Sequence, residues 1–192
     1  GSTGEWQERF GLFHSDLLGN DEIVSIEYLT TDFDAMHAVN GYFDAPVLES
    51  EFLRWKAYGG WYEYSASDVG LGNERFEGSS PSVGAEIAAN FLQRGELFVD
   101  AVAGARWFNV RINNLVIDLR GEEDFLVPYL GVRAQRNTRA ATTDASVFLD
   151  VCVADATDVD AVQLNALGRL FPERDWRMLR WDLAQSFYLD PL

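Results

Sequence analysis

The stretch that decides the fold reads LFVDAVAGARWFNV, Leu97 to Val110. Leu97, Val99, Ala101, Ala103, Ala105 and Trp107 hold alternate positions, with Asp100, Gly104 and Arg106 between them. Side chains alternate across a strand, so the pattern predicts a strand with one apolar and one charged face. A half-buried strand of a soluble protein usually runs about 5–6 residues. A strand of a membrane-spanning barrel needs about 9–11, and that length suits this stretch.

Working outward, Phe52 to Ala66 repeats the pattern, with Leu53, Trp55, Ala57, Gly59 and Trp61 against Arg54, Lys56, Tyr58, Tyr62 and Tyr64. Val83 to Leu92 sets Val83, Ala85, Ile87, Ala89 and Phe91 against Glu86 and Asn90, and Arg94 and Gly95 turn it tightly into the central strand. Further strands are expected at Arg9 to Leu18, Ile23 to Thr30, and Met36 to Asp44, the last closed by Pro46. Downstream come Phe125 to Arg136, Ala145 to Val153 and Trp176 to Leu189. Pro128 cannot donate to a ladder, which places it at a bulge or near its strand's start. Asp68 to Pro81 lacks any period and reads as a loop, as does the acidic run at Glu122, Glu123 and Asp124; Ala161 to Leu170 reads as a short helix or a loop. About nine strands joined as hairpins predict an all-β antiparallel up-and-down meander, a transmembrane β-barrel or part of one. The alternative is a soluble barrel or sandwich whose apolar residues turn inward.

Composition sets the bounds. The 192 residues suit one domain, with Gly1 to Gly4 reading as a vector scar or flexible lead-in and the barrel region as residues 9–192. A chain that is 47% hydrophobic and 14% aromatic folds despite a net charge of -16. Only 15 basic residues are scattered among 31 acidic ones, which argues against a nucleic-acid partner. No run of 18 apolar residues predicts a membrane-spanning helix, and a barrel leaves a weaker trace. Cys152 is the one cysteine and is expected to pack as a small apolar residue.

No catalytic, cofactor or metal site is expected. His14, Ser15 and Asp16 carry the residue types of a hydrolytic triad, but on a strand Ser15 points away from the other two. His37 makes no zinc-like spacing with His14, and Glu122 to Asp124 lack the alternation of a calcium loop. Gly70-Leu71-Gly72 precedes no helix, so it reads as a flexible loop rather than a phosphate cradle. What the pattern does assign is faces. Arg54, Lys56, Glu86, Asp100, Arg106, Arg133, Asp150, Arg180 and Asp182 are expected to line a lumen. Leu53, Trp55, Trp61, Val83, Ile87, Val99, Ala103, Trp107, Val132, Leu149, Val151, Leu179, Trp181 and Leu183 are expected to face lipid. Trp55, Trp61, Trp107, Trp176 and Trp181 lie on or beside long strands, as interfacial aromatic girdles require.

The run RFGLFHSDLLGNDE, Arg9 to Glu22, resembles the opening of the barrel in the bacterial surface-antigen superfamily, which includes BamA-like insertases and ShlB/FhaC-like transporters of two-partner secretion. Asp16 to Glu22 is similar to that family's first turn, and Tyr42-Phe43-Asp44-Ala45-Pro46-Val47 to the element ending its next strand. The spacing in WYEYSASDVGLGNERFEGSS, and the closing DWRMLRWDLAQSFYLDPL, are similar to the ShlB/FhaC-like branch. The resemblance implies a portion of an outer-membrane barrel, its first half, acting as a non-catalytic pore wall for protein translocation or insertion. Implied partners are outer-membrane lipid and an unfolded polypeptide. The family's lid-lock arginine motif belongs to its later half, so no functional residue is carried over. The rival soluble reading implies a periplasmic or extracellular protein binding an apolar ligand or a protein partner.

Overall fold

The computed structural model describes residues 6–33, 35–48, 50, 52–69, 74–115, 119–168 and 172–188. Nine strands form one sheet in chain order: β1 (Gln7–Ser15), β2 (Ile23–Thr31), β3 (Met36–Pro46), β4 (Leu53–Val69), β5 (Glu74–Arg94), β6 (Leu97–Asn114), β7 (Leu119–Asn137), β8 (Ala141–Val151) and β9 (Arg177–Phe187). Every neighbouring pair is antiparallel. Among the described residues β1 and β9 make no contact with each other, so the sheet is open. One helix, α1 (Ala161–Ala166), settles the ambiguity at Ala161 to Leu170; Asp160 caps it by accepting from the Val162 N–H. The first strand starts at Gln7, two residues ahead of the expected barrel region.

Two expected loops are strands. β4 runs to Val69 and β5 begins at Glu74, so Ser79, Ser80 and Pro81 lie inside the ladder. Glu122, Glu123 and Asp124 sit inside β7, opposite Arg111, Val110 and Asn109. The apolar period that marks a strand disappears wherever both faces are polar, while the backbone ladder continues regardless. Gly70-Leu71-Gly72 lies outside the described residues. Pro128 is in mid-strand, and the reason is local. Leu126 offers its carbonyl to the Val153 N–H, so residues of that parity turn their backbone groups toward β8. The β7–β8 ladder ends at Tyr129–Asp150, so the donor that proline lacks falls just where pairing stops.

The polar face stays close-packed because glycines admit aromatic rings from the next strand. The Tyr129 ring lies over Gly104, where an added Cβ would stand 2.6 Å from the Ala85 carbonyl oxygen. Phe148 covers Gly131 in the same way, again with a backbone carbonyl, that of Val147, in the path of any Cβ. Val102, Tyr129 and Phe148 form one buried cluster there. In the second, larger cluster Phe125 and Val127 of β7 pack with Cys152, Ala154, Val159 and Leu164. Cys152 is buried in it, as a small apolar residue is.

The β1–β2 turn is held by a buried carboxylate. Glu22 accepts from the N–H groups of Leu18 and Asn20, the latter at 3.0 Å. Burial pushes its pKa up, but the N–H groups of Leu18, Glu22 itself and Asn20, together with His14, outweigh this and hold it below the usual glutamate range.

Two outcomes follow from these contacts. Gly131→Ala is expected to cost about 1–3 kcal/mol in denaturant titration, because the obstructing carbonyl cannot swing away. Gly78→Ala, which meets only the Tyr64 ring, is expected to cost less. Because Glu22 is stabilised as the anion, its hold on the turn is complete above the ordinary glutamate range and lost as pH falls through its lowered pKa. Amide exchange at Leu18 and Asn20, corrected for intrinsic rate, should therefore quicken in acid in the wild type and be fast at every pH in Glu22→Gln.

Candidate functional site: a polar face and the apolar belt opposite

The two faces are defined by register. Leu53, Ala89, Ala101, Val132, Val147 and Trp181 fall in one cross-strand row; Trp55, Ile87, Ala103, Leu130, Leu149 and Leu179 fall in the next. All fourteen residues assigned to an apolar face by sequence share one side of the sheet. That side is uncovered: Ile87 is 52% exposed, Leu179 66% and Trp181 71%. A calyx would enclose these side chains, and here they point away from both buried clusters.

The belt has edges. On β6 it runs from Leu97 to Trp107, about 33 Å at about 3.3 Å per residue. Past Trp107 the same face turns polar, with Arg111 paired to Glu122 and Asn109 donating to Asp124 at 3.0 Å. The edge also slides from strand to strand. On β4 it falls between Trp61 and Glu63, and Glu63 registers through Ser79 with Arg111. On β9 it falls between Leu179 and Arg177, and Leu179 registers through Leu149 and Leu130 with Ala103, which puts Arg177 level with Ala105. From Arg111 to Ala105 is a slide of six positions over the five strand steps from β4 to β9. With strands about 4.8 Å apart, a flat boundary crossing the sheet this way implies a strand tilt of about 40°, within the range of closed barrels. At that tilt the belt on β6 stands about 25 Å tall, the height of the apolar band of outer-membrane barrels.

The opposite face carries the nine residues assigned to a lumen, and the fold brings most of them together. Asp150, fully buried, accepts from Arg106 at 2.6 Å and from Arg180 at 3.4 Å. Arg180 also lies over the Phe148 ring at 4.8 Å. Glu86 accepts from Arg133 at 3.1 Å and from the Tyr129 hydroxyl at 2.8 Å. Since the single Tyr129 proton goes to Glu86, the Tyr58 hydroxyl, 3.0 Å away, is the donor to Tyr129. Arg54 pairs with Asp44, Asp100 accepts from Asn90 at 2.7 Å, and Lys56 sits over the Tyr42 ring. Asp182 is exposed on the edge strand. Tyr58, Tyr129 and Asp44, which support these charges, were given no site role by sequence; for the two tyrosines the signal was a glycine on a neighbouring strand, Gly84 and Gly104, visible only once register is known.

The polar face is not polar throughout. On β6 and β7 it carries Phe108, Val110, Phe125 and Val127, and Cys152, Ala154, Val159, Leu164 and Trp176, from the connection between β8 and β9, pack against them. Glu123, expected in a solvated loop, is 7% exposed and accepts from the Asp160 N–H at 2.8 Å, while Gln163 accepts from the Glu122 N–H. Trp176, placed by sequence in an aromatic girdle, packs instead against this cluster, because it lies ahead of β9 on the folded segment. Of the tempting residues, His37 is taken up by hydrogen bonds to Tyr28 and Thr30, and Asp16 is in a turn with φ 64°, away from the strand that carries His14 and Ser15.

These features fit the wall of a β-barrel: an antiparallel meander with an uncovered apolar belt on one face and paired charges on the other. No family model and no curated protein matches the sequence. Among solved structures the chain is similar in fold to CdiB from Escherichia coli, with a TM-score of 0.71 at 12% identity. The match covers 97% of this chain and 34% of that one, so the chain spans about a third of that protein's length.

The pairing predicts an asymmetry on one face. Asp150→Asn leaves Arg106 and Arg180 without their shared anion and is expected to cost about 1–3 kcal/mol, moderated by the partial exposure of both arginines. Asp182→Asn should stay within about 0.5 kcal/mol. Denaturant midpoints of the two variants check this.

Proposed function

We propose that this chain forms part of the wall of an outer-membrane pore of the two-partner-secretion kind, through which an unfolded polypeptide passes. The observation that carries the reading is the slide of the belt edge by six positions from β4 to β9, as a flat boundary gives to strands tilted about 40°. Burial within a soluble protein gives no reason for an apolar boundary to slide in step with strand tilt, whereas a flat lipid surface imposes it. The likeness of fold to CdiB, a two-partner-secretion transporter, supports the same class, as does the opening motif from Arg9 to Glu22. The wall works passively: its carboxylates and guanidinium groups neutralise one another, which leaves a wetted surface without strong fixed charge, and no covalent chemistry is assigned to it.

Single-tryptophan variants in bilayers of brominated lipid test the medium. Trp55 and Trp181 should be strongly quenched, and Trp176, packed under the folded segment, should not. Labelling gives the complementary test in a Cys152→Ala background. Ala103→Cys should resist a water-soluble maleimide and react with a lipid-soluble one, whereas Arg106→Cys should react from water. Protection of Ala103→Cys from both reagents would mean that protein covers this face, and the reading would fail.

A further inference from the structure

Lys56 is the one lysine in the sequence; every other basic residue is an arginine. It is also the exception in the pairing of the polar face. Arg54, Arg106, Arg133 and Arg180 each meet a carboxylate, but Lys56 makes no ion pair among the described residues. Asp44 and Glu86 stand directly across from it in the β3–β4 and β4–β5 registers, yet Asp44 is drawn to Arg54 at 2.6 Å and Glu86 to Arg133 at 3.1 Å and the Tyr129 hydroxyl at 2.8 Å. The ammonium rests instead 4.3 Å from the centre of the Tyr42 ring, a contact that positions a cation without neutralising it.

The surroundings of Lys56 form an open cleft of about 330 Å³. Ser25, Asn40 and Ser82 supply hydroxyl and amide groups to it, and Tyr42 and Tyr58 wall it. The rings are not free stacking platforms: Tyr42 carries the ammonium, and Tyr58 leans over Gly84 with its hydroxyl bound to Tyr129. A flat sugar ring therefore finds no open aromatic face here. Glu27 also lines the cleft and faces Arg9 at 3.6 Å. What the cleft offers is one cation that makes no ion pair among the described residues, beside neutral hydrogen-bonding groups and carboxylates that each already face an arginine, which leaves it able to recognise an incoming carboxylate.

We propose that this cleft is a carboxylate-binding subsite of the pore wall, which transiently holds an aspartate or glutamate side chain, or a chain terminus, of the passing polypeptide. The inference rests on the proposed function for its ligand, though not for its test. A point-charge ammonium held by a ring gives a brief, geometry-tolerant contact, unlike the bidentate grip of an arginine. That is suited to a wall that must release what it touches.

With a single lysine the test can be read at one atom. In zwitterionic micelles, ¹³C-dimethylation places a reporter on the Lys56 amine, resolved from the N-terminal signal by its shift. The full chain is titrated with three glycine–serine peptides: one amidated with a central aspartate, one amidated with asparagine in its place, and the asparagine peptide with a free C-terminal carboxylate. Either carboxylate peptide should shift the Lys56 resonance saturably, and the amidated asparagine peptide should bind about tenfold more weakly or worse. Tyr42→Leu, which frees the ammonium from its ring, should weaken the aspartate peptide while leaving the fold intact by circular dichroism. Equal binding of all three peptides, or no saturable shift with either carboxylate, overturns the subsite. The titration needs no membrane, so its failure with lipid quenching intact leaves the pore wall standing, and the reverse result removes the pore while keeping the cleft.

Discussion

Unbroken parity across the sheet is the constraint on which the rest of the structure depends. Side chains alternate with a period of two, so a slip of one residue between any two strands would send every apolar side chain of one strand into the charged face. The rows through Leu53 and Trp55 keep parity from β4 to β9. The irregularity between Asn90 and Leu92 preserves it where the sequence would break it. Phe91 is the extra residue there; absorbing it keeps Leu92 level with Val99 on the apolar side and Asn90 level with Asp100 on the polar side. The alternation read from sequence carried Phe91 onto the belt as a regular member, and the bulge removes it from the count.

Parity also explains why the charged face can be so crowded. Glycines at Gly104 and Gly131 lie on that face, and their missing side chains are replaced by rings from the next strand, which cover backbone that would otherwise be bare. The rings then set the charges: Tyr129 holds Glu86, and Phe148 lies under Arg180, beside the buried Asp150. Partly exposed ion pairs add little stability, so their effect is mainly to fix side-chain positions and cancel field. Against that background of cancelled charge, Lys56, which makes no ion pair among the described residues, stands apart.

The segment between β8 and β9 gives the polar face its only large apolar contact among the described residues. Val159 and Leu164, both nearly fully buried, sit on Phe125 and Val127, and Glu123 ties the start of α1 to β7. Contacts of this kind anchor a segment; they do not leave it hanging. On one sheet, then, the belt side is apolar without being covered among the described residues, and the charged side is apolar where it is covered.

Much of this was legible in the sequence because it follows from period alone. Nine strands, their antiparallel order, and the division of residues such as Ile87 and Asp150 between two faces all come from alternation and turn chemistry, which act over a few residues. Long-range geometry is a different matter. The stretches of strand through Ser79 and Glu122 were hidden because a ladder persists where both faces are polar and no period survives. Trp176 was misplaced because its composition suits a girdle, while its contacts depend on where a connection folds. The pairing of Arg106 with Asp150, the solitary state of Lys56 and the tilt of the belt edge were decided by tertiary structure, because each depends on how residues tens of positions apart fall into register, and local sequence cannot encode the register of strands it does not contain.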